Sequence, residues 1–204
     1  MELLIATNNR GKQREFAGLL APNHVVTPAN LGLKLNVEET GTTFAANAEI
    51  KAKAFCAASG RLAVADDSGL EVDALNGAPG VLSARFGGPH LDDAQRCEVL
   101  LQRLEQAPTG SSRNARFRCC VVAVAPDGRL CAATGTCSGQ IAPAPRGDGG
   151  FGYDPVFLLP DLDLTMAEIS AELKNRISHR ARALQALLPL LMETFPELNL
   201  RPPA

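Results

Sequence analysis

The run RLAVADDSGL carries an apolar stretch into two adjacent carboxylates, Asp66 and Asp67, followed at once by Ser68-Gly69. Neighbouring side chains on an extended strand point to opposite faces, so one of the two aspartates is expected to face a site. Strand ends are where open α/β sheets place ligands. Carboxylates there suit Mg²⁺, which takes one or two of them together with phosphate oxygens and water. Glu38 and Glu39 in NVEETG form a second candidate pair on a loop. The plainer alternative for DDSG is a turn or cap, because Asp and Ser fold back onto their own backbone.

Cations stand where helices disfavour them. The first helix opens on TNNRGK, with Arg10 and Lys12 at its mouth and Gly11 between them. In KNRISHRARAL, Ser178 reads as an N-cap, with His179, Arg180 and Arg182 in the first turn and Lys174 and Arg176 just before. A cation at a helix N-terminus costs about 0.3–1 kcal/mol unless an anion sits there. A polyanion would resolve both conflicts, since helix starts bind phosphate and Lys and Arg add charge-assisted bonds; solvated surface cations are the alternative. TNNRGK is not a Walker loop, which needs Gly where Ala6 stands and Ser or Thr where Gln13 stands. Lys51 falls on the apolar stripe of Phe44, Ala48, Ala52 and Phe55, so it either snorkels or meets a ligand. Aromatic residues make up 4% of the chain, yet Phe151, Tyr153 and Phe157 crowd into GGFGYDPVF. They either pack the core edge or offer a ring to a planar ligand, a stack worth roughly 1–3 kcal/mol.

The elements that must position these residues follow from pattern. ELLIA and HVVTPA read as strands, KQREFAGLLA as a helix between them, and LGLKLNVEETG as a loop. TTFAANAEIKAKAFCAAS reads as a helix with a Thr N-cap and Gly60 past its end. RLAVA and LEVDAL read as two strands on either side of DDSG. DDAQRCEVLLQRLEQA is an amphipathic helix capped by Asp92, and ARFRCCVVAVA with RLCAATGTCSG form a hairpin around Asp-Gly. IAPAPRGDGGFGYDP is a long loop, and a final helix should be kinked or interrupted at Pro189. The expected fold class is α/β, a mixed twisted central sheet flanked by helices.

With 204 residues the chain suits one domain, 1–204, with one sizeable core or one core in two lobes. Hydrophobic residues at 46% and charged residues at 21% exclude a disordered or fibrous design. A net charge of −2 argues against a duplex-DNA binder that relies on phosphate neutralisation, so no nucleic-acid partner is expected. Nothing approaches the roughly 20 apolar residues of a membrane span, and MELLIATNNRGK lacks the regions of a signal peptide; a cytoplasmic location is the expectation. The six cysteines have no C-x-x-C spacing and read as buried reduced thiols.

Five blocks, ATNNRGKQREF, EETGTTFAANAEIKA, ADDSGLEVDALNGAPGVLSARFGG, GGFGYDPVF and KNRISHRARAL, come in an order that resembles the inosine triphosphate pyrophosphatase family. That family, also called Ham1, acts on noncanonical purine nucleoside triphosphates. The resemblance implies two lobes with a cleft between them and a homodimer. It further implies Mg²⁺-dependent hydrolysis of ITP, dITP and XTP to the monophosphate and pyrophosphate. Carried over by position, Thr7, Asn8, Asn9, Arg10, Gly11 and Lys12 should bind phosphates, joined by Lys51. Asp67 should bind the metal and orient or deprotonate the attacking water, and Ser68 should touch substrate. Phe151, Gly152, Tyr153, Asp154, Lys174, His179 and Arg180 should form base and phosphate contacts, with Arg180 and backbone N–H groups donating to O6 of a 6-keto purine. Glu39 is the second metal ligand, with Glu38 the alternative; Ala46 stands where the family usually has Glu. A Maf-like pyrophosphatase would not be expected to carry the SHR block, a non-catalytic nucleotide sensor would not need Asp67, and a haloacid-dehalogenase phosphatase would want Asp-x-Asp.

Overall fold

The computed structural model describes residues 2–201. Among the described residues seven strands and five α-helices follow in this order: β1 (Leu3–Ile5), α1 (Arg10–Leu20), β2 (Val25–Val26), α2 (Phe44–Ser59), β3 (Ala63–Val72), α3 (Asp93–Glu105), β4 (Asn114–Val124), β5 (Leu130–Ile141), β6 (Phe157–Leu159), β7 (Leu164–Thr165), α4 (Ala171–Ile177) and α5 (His179–Thr194). The strands form one sheet in the order β2-β1-β3-β4-β5-β6-β7. It is mixed: β1 pairs parallel with β2 and β3, whereas β6 pairs antiparallel with β5 and β7.

The chain divides into two compact units. The first comprises Met1–Asp67, Cys119–Gly135 and His179–Ala204; the second comprises Ser68–Arg118 and Thr136–Ser178. In the first unit, strand alternation sorts two apolar layers. Leu3 and Ile5, Leu62 and Val64, and Cys119, Val121 and Ala123 pack with Phe16 and Leu20 of α1 and Ala183, Leu184 and Leu187 of α5. The intervening residues Leu4, Ala6, Ala63, Ala65, Cys120 and Val122 pack with Ala48, Ala52 and Phe55 of α2. The second unit has its own core of Leu70, Val72, Cys97, Leu100, Phe117, Tyr153 and Phe157.

Local signals account for most helix ends. Thr43 caps α2, accepting from the Ala46 N–H, and Gly60 closes it in the left-handed region at φ 64°. Asp92 and Gln95 form a capping box on α3. Three expectations are modified. DDSG is no turn: β3 runs unbroken from Ala63 to Val72 because the residues on both sides are buried strand formers and the aspartates find partners, described below. Pro189 does not interrupt α5. An interior proline costs about 3 kcal/mol, but Leu184, Leu187, Leu188 and Leu191 are all buried along that helix, each contributing roughly 1.5–3 kcal/mol. Lys174 and Arg176 do lie just before the start of α5, but in the last turn of a separate helix, α4, where the dipole favours cations. All six cysteines are free and buried.

Candidate active site

In the first unit the side-chain alternation of β3 separates the two aspartates. Asp66 continues the row of Leu62 and Val64, toward α1 and α5, while Asp67 continues the row of Ala63 and Ala65, toward α2. Asp66 is enclosed by cations. Arg180, at the start of α5, donates to its Oδ2 from Nη2 at 2.8 Å and Nε at 3.2 Å, and Lys12 Nζ lies 3.0 Å from the same oxygen. Burial alone would raise the Asp66 pKa, but Arg180, Lys12 and Lys51 hold it well below the usual carboxylate range. Glu15 of α1 pairs with the other arm of Arg180. Burial works against the Arg180 charge, yet Asp66 and Glu15 together raise its pKa.

Asp67 has the opposite balance. Asn47 of α2 donates to its Oδ2 at 3.1 Å, and Lys51, one helical turn on, places Nζ 3.6 Å from its Oδ1. Burial nevertheless raises the Asp67 pKa, with Lys51 and Lys12 opposing and Glu39 adding to the rise. Lys51 also pairs with Glu39. Burial pulls Lys51 down, but Asp66, Asp67 and Glu39 more than offset it and leave its pKa raised. Alternation turns Glu39, rather than Glu38, toward Lys51. Leu33, Leu35 and Val37 turn toward the core layer of α2, and Glu39 shares their parity and is half-buried, whereas Glu38 is exposed.

This donor set suits a hard cation. Asp67 and Glu39 offer carboxylate oxygens around one ammonium, and among the described residues no group of three or more His, Cys, Asp or Glu could hold a metal. A cation that takes one or two carboxylates and completes its shell with phosphate oxygens and water fits such a set, as Mg²⁺ does. A cage built wholly from protein ligands does not.

The turn from β1 into α1 presents the next group. Asn9 is the N-cap and accepts from the Lys12 N–H at 3.0 Å. The Thr7 hydroxyl accepts from the Asn9 N–H, its carbonyl accepts from Gln13 Nε2, and Asn8 Nδ2 donates to the Leu35 carbonyl at 2.9 Å. Gly11 is buried and Arg10 exposed. Asn8, Arg10 and Gln13 share a cavity of about 350 Å³ with Gly32, Leu33 and Lys34.

In the second unit, Phe151, Gly152, Tyr153 and Asp154 lie between β5 and β6. Asp154 is buried; its Oδ2 accepts from the Phe151 N–H at 2.8 Å and pairs with Lys174 Nζ at 2.5 Å. Gly150 is required beneath it, because φ is +73° and a Cβ there would lie 2.0 Å from that oxygen. Lys174 also stands 4.9 Å from the centre of the Phe151 ring. Tyr153 is core, its hydroxyl donating to the Ser83 carbonyl at 2.9 Å. Phe157 is fully buried. Of the three crowded aromatics, only Phe151 is partly exposed.

The first unit thus gathers Lys12, Lys51, Asp66, Asp67, Glu39 and Arg180, and the second gathers Phe151, Gly152, Asp154 and Lys174. Ser68 is half-buried on β3 and His179 is buried at the start of α5. Arg180 is enclosed by Asp66 and Glu15 at 1% exposure, its guanidinium paired with both carboxylates. Sequence reading missed Glu15 and Asn47. Both had a signal, a polar residue three after Lys12 and one four before Lys51, each on the same helix face as the lysine.

The family model described as the Ham1 family matches residues 3–190. The dITP/XTP pyrophosphatase of Desulforamulus reducens is 49% identical over 197 residues, covering 96% of this chain and 98% of that protein. The dITP/XTP pyrophosphatase of Geobacillus kaustophilus is 50% identical over 91% of this chain and 92% of its own length. Among solved structures, the Ham1 protein of Staphylococcus aureus superposes with a TM-score of 0.82 at 42% identity, covering 95% of this chain and 99% of that one. A HAM1 protein from Coxiella burnetii gives 0.84 at 40% identity, with the same coverage. The chain belongs to the Ham1 family.

Proposed function

We propose that this chain is a Mg²⁺-dependent nucleoside triphosphate pyrophosphatase. It hydrolyses noncanonical purine nucleotides such as dITP, XTP and ITP at the α–β phosphoanhydride, releasing the monophosphate and pyrophosphate. The observation that carries the reading is the division of labour on β3: Asp66 is locked to Arg180 and Lys12, while Asp67 shares Lys51 with Glu39. The names of the dITP/XTP pyrophosphatases it resembles support the substrate class.

Phosphoryl transfer asks for in-line positioning and charge neutralisation more than for a covalent nucleophile. Lys12 and Lys51 neutralise phosphate charge, and the α1 turn from Thr7 to Lys12 adds N–H and side-chain donors. Asp67 and Glu39 would hold Mg²⁺, which when bound supplies further neutralisation and lowers the pKa of water. Asp67, its pKa raised above that of an ordinary carboxylate, is the better placed of the two aspartates to accept a proton from the attacking water. Asp66 and Arg180 fix the direction of Lys12. Phe151 offers its ring to the base, with Lys174 held beside it by Asp154. A cytoplasmic homodimer belongs to the same reading, and light scattering on the purified chain reads the oligomeric state directly.

Product analysis of dITP and XTP hydrolysis by phosphorus NMR tests the reaction. Monophosphate and pyrophosphate are expected, at rates well above those for ATP and GTP; release of orthophosphate would name a different bond.

A further inference from the structure

Gly152 of the Phe151–Asp154 loop is held at both of its backbone polar groups by one helix. Its N–H donates to Asp93 Oδ2 at 2.7 Å, and its carbonyl lies 3.4 Å from Cys97 Sγ, the thiol donating. Asp93 and Cys97 are four residues apart on α3 and so share a face. An acid in the first turn of a helix is ordinary dipole chemistry, and a buried cysteine is ordinary core. Neither explains why both reach the same residue of another segment. The grip is specific in other respects. Gly152 has φ +62°, in the left-handed region that other residues avoid. Asp93 Oδ1 is steadied by Arg96 Nη1 at 3.6 Å. Burial pushes the Cys97 thiol up to about 12, so the S–H needed for donation persists at neutral pH.

We propose that Asp93 and Cys97 are positioning residues that clamp the Gly152 peptide and so set the Phe151 ring and the Asp154–Lys174 pair for the nucleotide. Gly152 sits between Phe151, whose N–H is bound by Asp154, and Tyr153, whose hydroxyl is bound by Ser83. Releasing its peptide frees the only segment that connects these two anchors. The inference rests on the reading of this loop as a nucleotide contact.

Tyr153 is the only tyrosine in a chain without tryptophan, so tyrosine fluorescence reports the loop independently of turnover. In Asp93→Ala and Cys97→Ala, the emission of the nucleotide-free protein and its quenching by acrylamide should change. KM for dITP should rise about five-fold for each lost bond, with kcat held within about two-fold, since the reacting groups are untouched. Asp93→Asn and Cys97→Ser, which keep an acceptor and a donor, should restore both readouts. Circular dichroism melts identify any variant that fails to fold, and the two conservative variants then carry the test. Unchanged emission and unchanged KM in the alanine variants would overturn the clamp. Changed emission with unchanged KM would instead overturn the assignment of the loop to the nucleotide, and with it the positioning role.

Discussion

Asp66 and Asp67 are adjacent in β3, yet their charges meet opposite surroundings. Removing one partner of a buried ion pair costs about 3–5 kcal/mol because the other charge is left uncompensated. Asp66→Asn removes the negative charge that Arg180 grips through two hydrogen bonds to one oxygen and that Lys12 faces, while Glu15 remains; its cost should fall near about 3 kcal/mol. Asp67→Asn removes a carboxylate whose ionisation the fold disfavours, and Glu39 still holds Lys51, so it should melt no lower than wild type. Thermal melts at pH 7 compare the two. The pH dependence follows from the same signs. A depressed pKa, as at Asp66, contributes stability that is complete above the unfolded carboxylate value of about 3.9 and is lost as pH falls below it toward the folded value. A raised pKa, as at Asp67, costs stability at neutral pH and returns it as pH falls through the raised value. Melting curves should therefore show a steeper acid loss below about pH 4 in wild type than in Asp66→Asn.

Among the elements, β5 and α5 meet most closely at Gly135, in the first unit. A Cβ there would lie 2.2 Å from the His179 carbonyl oxygen and 2.3 Å from the Ala183 nitrogen, both backbone atoms that cannot step aside. Gly135→Ala should destabilise by about 1–3 kcal/mol, the usual penalty of overpacking, and should lower turnover by displacing the helix start that carries Arg180. Denaturant melts and steady-state rates check both. Elements with strong local signals were legible in advance: α2 between Thr43 and Gly60, α3 at its Asp92–Gln95 box, and the hairpin around Asp127-Gly128. What escaped depends on distant partners. DDSG has the composition of a turn, and partners distant in sequence, among them Arg180, 114 residues from Asp66, and Lys12, help to hold it as a strand interior. The short strands β6 and β7 are too brief to show a period, and α4 hides in a segment read as the approach to α5. The L-x-L-x-L-x-V-x-E alternation from residue 31 turns Glu39 rather than Glu38 toward Lys51, along a segment that is loop in the structure as its composition predicts.

At the scale of the whole molecule, 20 basic and 22 acidic residues almost cancel, so no broad field draws in a polyanion. In the proposed reaction attraction comes from few groups, Lys12 and Lys51 together with the divalent ion proposed for Asp67 and Glu39. Chelation with EDTA should therefore abolish dITP turnover, and added Mg²⁺ should restore it, with the helical circular dichroism unchanged throughout. Among the described residues no helix is long and apolar enough to cross a membrane. In the proposed reaction Asp67 does what its neighbour Asp66, locked to Arg180 and Lys12, cannot. The most direct test measures turnover and dITP affinity in Asp67→Asn: kcat should fall by about 10²–10⁴-fold while the nucleotide still binds, and a rate equal to wild type would remove Asp67 from the reaction and contradict the account.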